Sequence, residues 1–231
     1  MSFINKTLLL ALPLMTLCAS GDVCAQGVIP VPESHVTLGT QWQGKRVGVL
    51  GDSMSAPRDT TQSKRFYNYL HDLMGIEPSV YAVSGYKMRQ MLDMAERMHA
   101  EHPEGLDAIL IWCGTNDYNS SVPVGEFFTE EIAEVNANGE MTQRKHRTHV
   151  MSDSTFCGSI NKVLSTLKER YPETQIVLLT PIHRGPARFS GKNIQPPESY
   201  ANATGAYLDD YVAAMRRGGE IWSVPVIDLY S

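Results

Sequence analysis

Five short runs of apolar, often β-branched residues recur along this chain, at 46–50, 79–83, 108–113, 175–180 and 224–229. Runs of that length with little polar alternation predict strands covered on both faces, as in a parallel sheet. The segments between them carry a different period. Phe66, Leu70, Leu73 and Met74 fall at i, i+4, i+7 and i+8, and Gly75 is placed to stop that helix. Phe156, Ile160, Val163, Leu164 and Leu167 repeat the stripe, with Ser152 and Asp153 as N-cap candidates. Tyr200, Thr204, Tyr207, Leu208, Tyr211 and Met215 repeat it again, ahead of Gly218-Gly219. A shorter, Met-rich helix fits 88–98. Strand then helix, repeated, predicts a doubly wound α/β domain.

The rhythm breaks over 122–150, which is polar and lacks a helical stripe. Asn136-Ala137-Asn138-Gly139 reads as a turn, so a hairpin insertion is expected there. Because it follows a strand's C-terminal end, a substrate-facing flap is the expectation. At the other extreme, Lys6, the apolar run 8–17 and the small residues after it describe a signal peptide over 1–25, cleaved after Ala25. A lipid anchor on Cys18 or Cys24 is the lesser alternative, since neither has a good lipobox before it. Residues 26–45 form a lead-in, and 46–231 form the domain. Of the four cysteines, Cys113 and Cys157 lie in that domain, and they read as small buried side chains rather than a disulfide framework. No later stretch is long and apolar enough to span a bilayer. A net charge of −5 argues against nucleic acid as a partner, because phosphate binding needs a basic face.

Three small blocks follow the first three predicted strands in order. Gly51-Asp52-Ser53 places a hydroxyl at the sheet's carboxyl edge, although a Ser there is commonly just an N-cap. Gly85, in Val83-Ser84-Gly85, can bring its backbone N–H close to a ligand, or simply serve a turn. Gly114-Thr115-Asn116-Asp117 can aim an amide at a developing oxyanion, or form an Asx turn. Together the three blocks resemble those of the SGNH/GDSL hydrolase superfamily. That resemblance implies a flavodoxin-like three-layer α/β/α fold with a parallel five-stranded sheet. It implies a serine esterase without metal or cofactor, with Ser53 as nucleophile and Ser53, Gly85 and Asn116 as the oxyanion hole. Gly51, Asp52, Gly114 and Asp117 support that motif. The Gly-x-Ser-x-Gly elbow of another hydrolase class is absent.

The family's late Asp-x-x-His block has no counterpart in the sequence. No His has an Asp three positions before it, and Ser231 comes two residues after the last predicted strand. The expectation is a member lacking the closing C-terminal loop and helix, nearly inactive and poorly folded. His183, after the fourth strand, is the best-placed substitute, and a pocket-lining role for it is preferred to a catalytic one. His146 and His149 have no ligand partners at a metal-binding spacing, and Arg144-Lys145-His146-Arg147 reads as a solvated face. The expected substrate is a small-molecule or carbohydrate ester met outside the cytoplasm, secreted or periplasmic. A non-catalytic ligand-binding protein of the same fold is the alternative. A flavodoxin-like cofactor module is disfavoured, because no Gly-rich phosphate cradle follows the first strand.

Overall fold

A computed structural model describes residues 39–57 and 64–231. The expected leader and most of the lead-in, up to residue 38, lie outside the described residues. Strands β1 (Arg46–Gly51), β2 (Glu77–Ala82), β3 (Ala108–Trp112), β6 (Gln175–Leu179) and β9 (Val226–Ile227) form one parallel sheet in the order β2-β1-β3-β6-β9. The chain runs outward from β1 to β2 and then crosses back to β3. Neighbouring crossovers therefore leave β1 and β3 in opposite directions, the switch point where open α/β sheets hold ligands.

Helices cover both faces, as the unbroken apolar strands require. On one face lie α2 (Met91–Glu101), α4 (Phe156–Arg170) and α5 (Leu208–Trp222). There Met98, Leu164, Leu167 and Tyr211 pack with Leu50, Ile109, Ile111 and Leu178. On the other face Leu70 and Met74 of α1 (Phe66–Met74), with Trp42, pack on Val47, Ile76 and Ala108. The fold is thus a three-layer flavodoxin-like α/β/α sandwich. Gly75 ends α1 in the left-handed conformation at φ +72, as its position predicts.

Several boundaries differ from the sequence expectation, each for a local reason. The cap of α4 is Thr155, whose hydroxyl accepts the Gly158 N–H at 3.2 Å. Ser152 instead serves the turn before it, and Asp153 pairs with Lys162 at 2.7 Å. The stripe from Tyr200 does not begin a helix until Leu208. Asn202 intervenes: its side-chain oxygen accepts the N–H groups of Thr204 and Ala206, offering the backbone an alternative to helix. Gly218 and Gly219 lie inside α5 and do not stop it. A Cβ on Gly218 would fall 2.8 Å from Ile160, and one on Gly219 2.3 Å from Val226. These glycines let α5 approach α4 and β9 closely.

The hairpin is β4 (Phe128–Ala137) and β5 (Glu140–His149), joined through Asn138 and Gly139, both at positive φ. Cross-strand charge pairs, such as Glu130 with Arg147 at 2.6 Å, run along it. At its base Asn161 of α4 donates to the Phe127 and Val150 carbonyls, and His149 stacks between Phe128 and Trp222. The hairpin therefore rises from α4 and α5, and the expected substrate-facing flap finds no support in these contacts. A second, small hairpin of β7 (Ala187–Arg188) and β8 (Ile194–Gln195) follows β6 and has no signal in the sequence pattern. Cys113 and Cys157 are free and buried. No described helix is long and apolar enough to cross a membrane.

Candidate active site

The register levels the strand ends: Gly51 pairs with Ala82 on one side and Trp112 on the other. The loops carrying Ser53, Gly85 and Asn116 therefore leave the sheet at one height. After β1 the chain folds into a single tight turn, in which the Asp52 carbonyl accepts the N–H groups of Ser55 at 3.0 Å and Ala56 at 2.8 Å. The Asp52 carboxylate adds a bond from the Met54 N–H at 2.8 Å. This turn buries Asp52 and Ser55 and leaves Ser53 exposed. Gly51 is required by that geometry, because a Cβ there would meet Ser55 Oγ at 2.5 Å and Ser55 Cβ at 2.8 Å. Gly51→Ala is expected to cost about 1–3 kcal/mol through overpacking and to displace the Ser53 turn. Urea unfolding, read alongside ester hydrolysis, checks it; an unchanged midpoint would show that the turn relaxes freely.

The second loop is a turn in which the Tyr86 N–H reaches the Val83 carbonyl at 3.2 Å, with Gly85 at φ +85 in the position that favours glycine. The third begins at Gly114, φ +121, where a Cβ would crowd Pro181 and Phe156. It continues as the short helix α3 (Thr115–Asn119). Asn116 ties all three loops together: its amide donates to Asp52 at 3.2 Å and to the Tyr86 carbonyl at 2.9 Å. Asp117, beneath it, accepts the Met88 N–H at 3.0 Å and so fixes the end of the second loop.

Residues 49–231 match the GDSL-like Lipase/Acylhydrolase family. The chain belongs to that family. Its activity is accordingly that of an ester hydrolase. Among solved structures, a protein from Lactobacillus plantarum is 26% identical, with 81% of this chain and 78% of that one covered and a TM-score of 0.60. A possible lipase from Chitinophaga pinensis is 21% identical over 80% of this chain and 68% of its own, at a TM-score of 0.63. The psychrotrophic esterase EstA from Pseudoalteromonas sp. is 12% identical over 80% and 76%, at 0.51. The last two share the fold with this chain. No curated protein matches it.

In this GDSL-like hydrolase the two motif aspartates are buried carboxyls. Burial pushes Asp52 up to about 6 and Asp117 up to about 7. Burial likewise drives the Cys113 thiol well up, so it is no competing nucleophile. His183 is exposed and makes no hydrogen bond to Ser53: its Nδ1 meets Glu198 at 2.6 Å and its ring lies 3.9 Å from that of Tyr230. Glu198 also accepts the Arg184 N–H at 2.8 Å, a partnership that nothing in the sequence spacing signals. The other described histidines have their own neighbours. His71 bonds the Ile76 carbonyl, His99 faces Tyr171, His102 lies near Glu104, and His146 lies near Glu131. Among the described residues, no imidazole hydrogen-bonds Ser53, and no cluster of His, Cys, Asp or Glu could hold a metal ion.

Proposed function

We propose that Ser53 is the nucleophile of this ester hydrolase and that the chain acts after export. Ser53 Oγ attacks the acyl carbon, the alcohol leaves, and water releases the acyl group from the serine. The developing oxyanion is received by the N–H groups of Ser53 and Gly85, neither of which donates a hydrogen bond among the described residues. The observation that carries this reading is the Asn116 amide bridging Asp52 and the Tyr86 carbonyl. It holds the hydroxyl-bearing loop and the glycine loop against each other. Both Asn116 N–H groups are engaged in that bridge, so Asn116 positions the two backbone donors and joins the oxyanion only by releasing one bond. Export is supported by the charged start, apolar run and small-residue exit of residues 1–25. An ester on a carbohydrate remains the substrate class suggested by export alone, since the hairpin is anchored to α4 and α5.

The same geometry favours a second reading, binding without turnover, through the lack of a described imidazole at Ser53. Mass spectrometry on the exported protein tests the proposal. The expected species begins at Gln26 and gains a single adduct at Ser53 on treatment with an activated phosphonate ester in the presence of free imidazole. An unlabelled Ser53, or a label elsewhere, would remove it from the nucleophile's role; a retained leader would end the export reading.

A further inference from the structure

The segment after β6 differs from the rest of this acidic chain. Residues 181–195 contain His183, Arg184, Arg188 and Lys192 and no carboxylate, although the formal net charge is −5. Arg184 turns inward, binding Asn119 and the Pro196 carbonyl and covering the Tyr118 ring. Arg188 and Lys192 point into water, and neither has a carboxylate partner among the described residues. Between and beside them stand Phe189, 70% exposed, and Ile194, 54% exposed. Arg188 pairs with Ile194 across the β7–β8 hairpin, and the Phe189 N–H closes its tip on the Asn193 carbonyl at 3.0 Å. One exposed apolar side chain is ordinary. Two large ones and two unneutralised cations on one narrow tip form an amphipathic wedge. β6 ends at Leu179, in register with Trp112 and through it with Gly51. The wedge therefore rises from the same edge of the sheet as Ser53.

We infer that the β7–β8 tip docks this rim on an anionic bilayer surface, so that the esters reached are those of amphiphiles held there. The substrate class rests on the Ser53 reading; the docking does not. Arg188 and Lys192 are drawn by the surface potential, and Phe189 and Ile194 enter the headgroup boundary once contact is made. An anionic polysaccharide would use the cations and leave Ile194 without a role. In the other basic run, Lys145, His146 and Arg147 are answered across their own hairpin by Glu130 and Glu131 and supply the control.

The test is co-sedimentation of the full chain with vesicles of phosphatidylcholine alone or mixed with phosphatidylglycerol. The wild type is expected to pellet with the mixed vesicles only, and less so in high salt. Arg188→Gln with Lys192→Gln is expected to lower partitioning roughly 25-fold, about fivefold per cation. Phe189→Ser with Ile194→Ser is expected to lose binding as well, whereas Lys145→Gln with Arg147→Gln binds as the wild type. Hydrolysis of soluble p-nitrophenyl acetate is expected to be the same in the Arg188/Lys192 variant. Wild type that stays in the supernatant overturns the inference, as does a tip variant that pellets normally or a control variant that fails equally. Ser53→Ala should pellet like the wild type, which separates a failure of docking from a failure of the nucleophile assignment.

Discussion

Free imidazole is expected to raise ester hydrolysis by the 231-residue chain about 10- to 100-fold above the rate imidazole gives alone. The increment should vanish in Ser53→Ala. Ser53 is exposed and its hydroxyl has no described imidazole beside it, so a small base from solution can reach it. A positioned base contributes about 10²–10⁴ in rate, and a diffusing one recovers the lower part of that range. Without imidazole, rate enhancement should be roughly the 10³–10⁴ over water that an oxyanion site supplies without a working base. Ser53→Ala is then nearly silent in plain buffer, because groups that act as a unit do not contribute additively. The variant and the additive must be read together, with an activated acetyl ester and a matched blank. Fast hydrolysis that ignores imidazole would show that Ser53 already has a base. An increment surviving in Ser53→Ala would show that another group is acylated.

What the sequence revealed about this site was its chemistry, and what it concealed was the lateral geometry. β1, β3 and β6 are legible because a strand buried on both faces leaves no polar positions to confuse its period. Gly75 is legible because its left-handed φ is a purely local demand. Gly218 and Gly219 resemble a stop in the sequence, and only the closeness of Ile160 and Val226 explains them. Asn116 shows the same limit. Its place after β3 suggests an amide aimed at substrate, but β1 is the neighbouring strand, and Asp52 and Tyr86 intercept both donors. His183 was the best-placed imidazole by chain order, yet Glu198, which holds it, comes from a segment with no regular pattern. The sequence thus names the groups at the rim, while the contacts among them depend on which strands lie side by side.

Asp117→Asn is expected to make the protein more stable than the wild type at about pH 8 and no different near pH 4. Asp117 is 1% exposed, and burial holds its carboxyl at about 7 against an ordinary 3.8. Between about pH 4 and about pH 7 the folded chain keeps a proton that the unfolded chain has lost, so unfolding releases it. The stabilisation is complete below the unfolded value and drains away as pH rises through the folded one. At about 1.4 kcal/mol per unit the gap amounts to about 4 kcal/mol, with Lys87 already offsetting part of the burial. Asparagine keeps a carbonyl for the Met88 N–H and cannot ionise, so its unfolding free energy should fall less with pH than the wild type's, the remaining fall coming from Asp52. Urea unfolding at three pH values separates the two, and parallel profiles would show that Asp117 is hydrated rather than buried. Asp52 is the informative contrast. Its two carboxylate oxygens accept from Met54 and from Asn116, so an amide there must turn a donor toward a donor. Asp52→Asn should therefore loosen the bridge that seats the Ser53 loop, lowering hydrolysis at every pH, whereas Asp117→Asn should spare it. A chain in which both substitutions behaved alike would have its two buried carboxyls acting as bulk rather than as separate holds on separate loops.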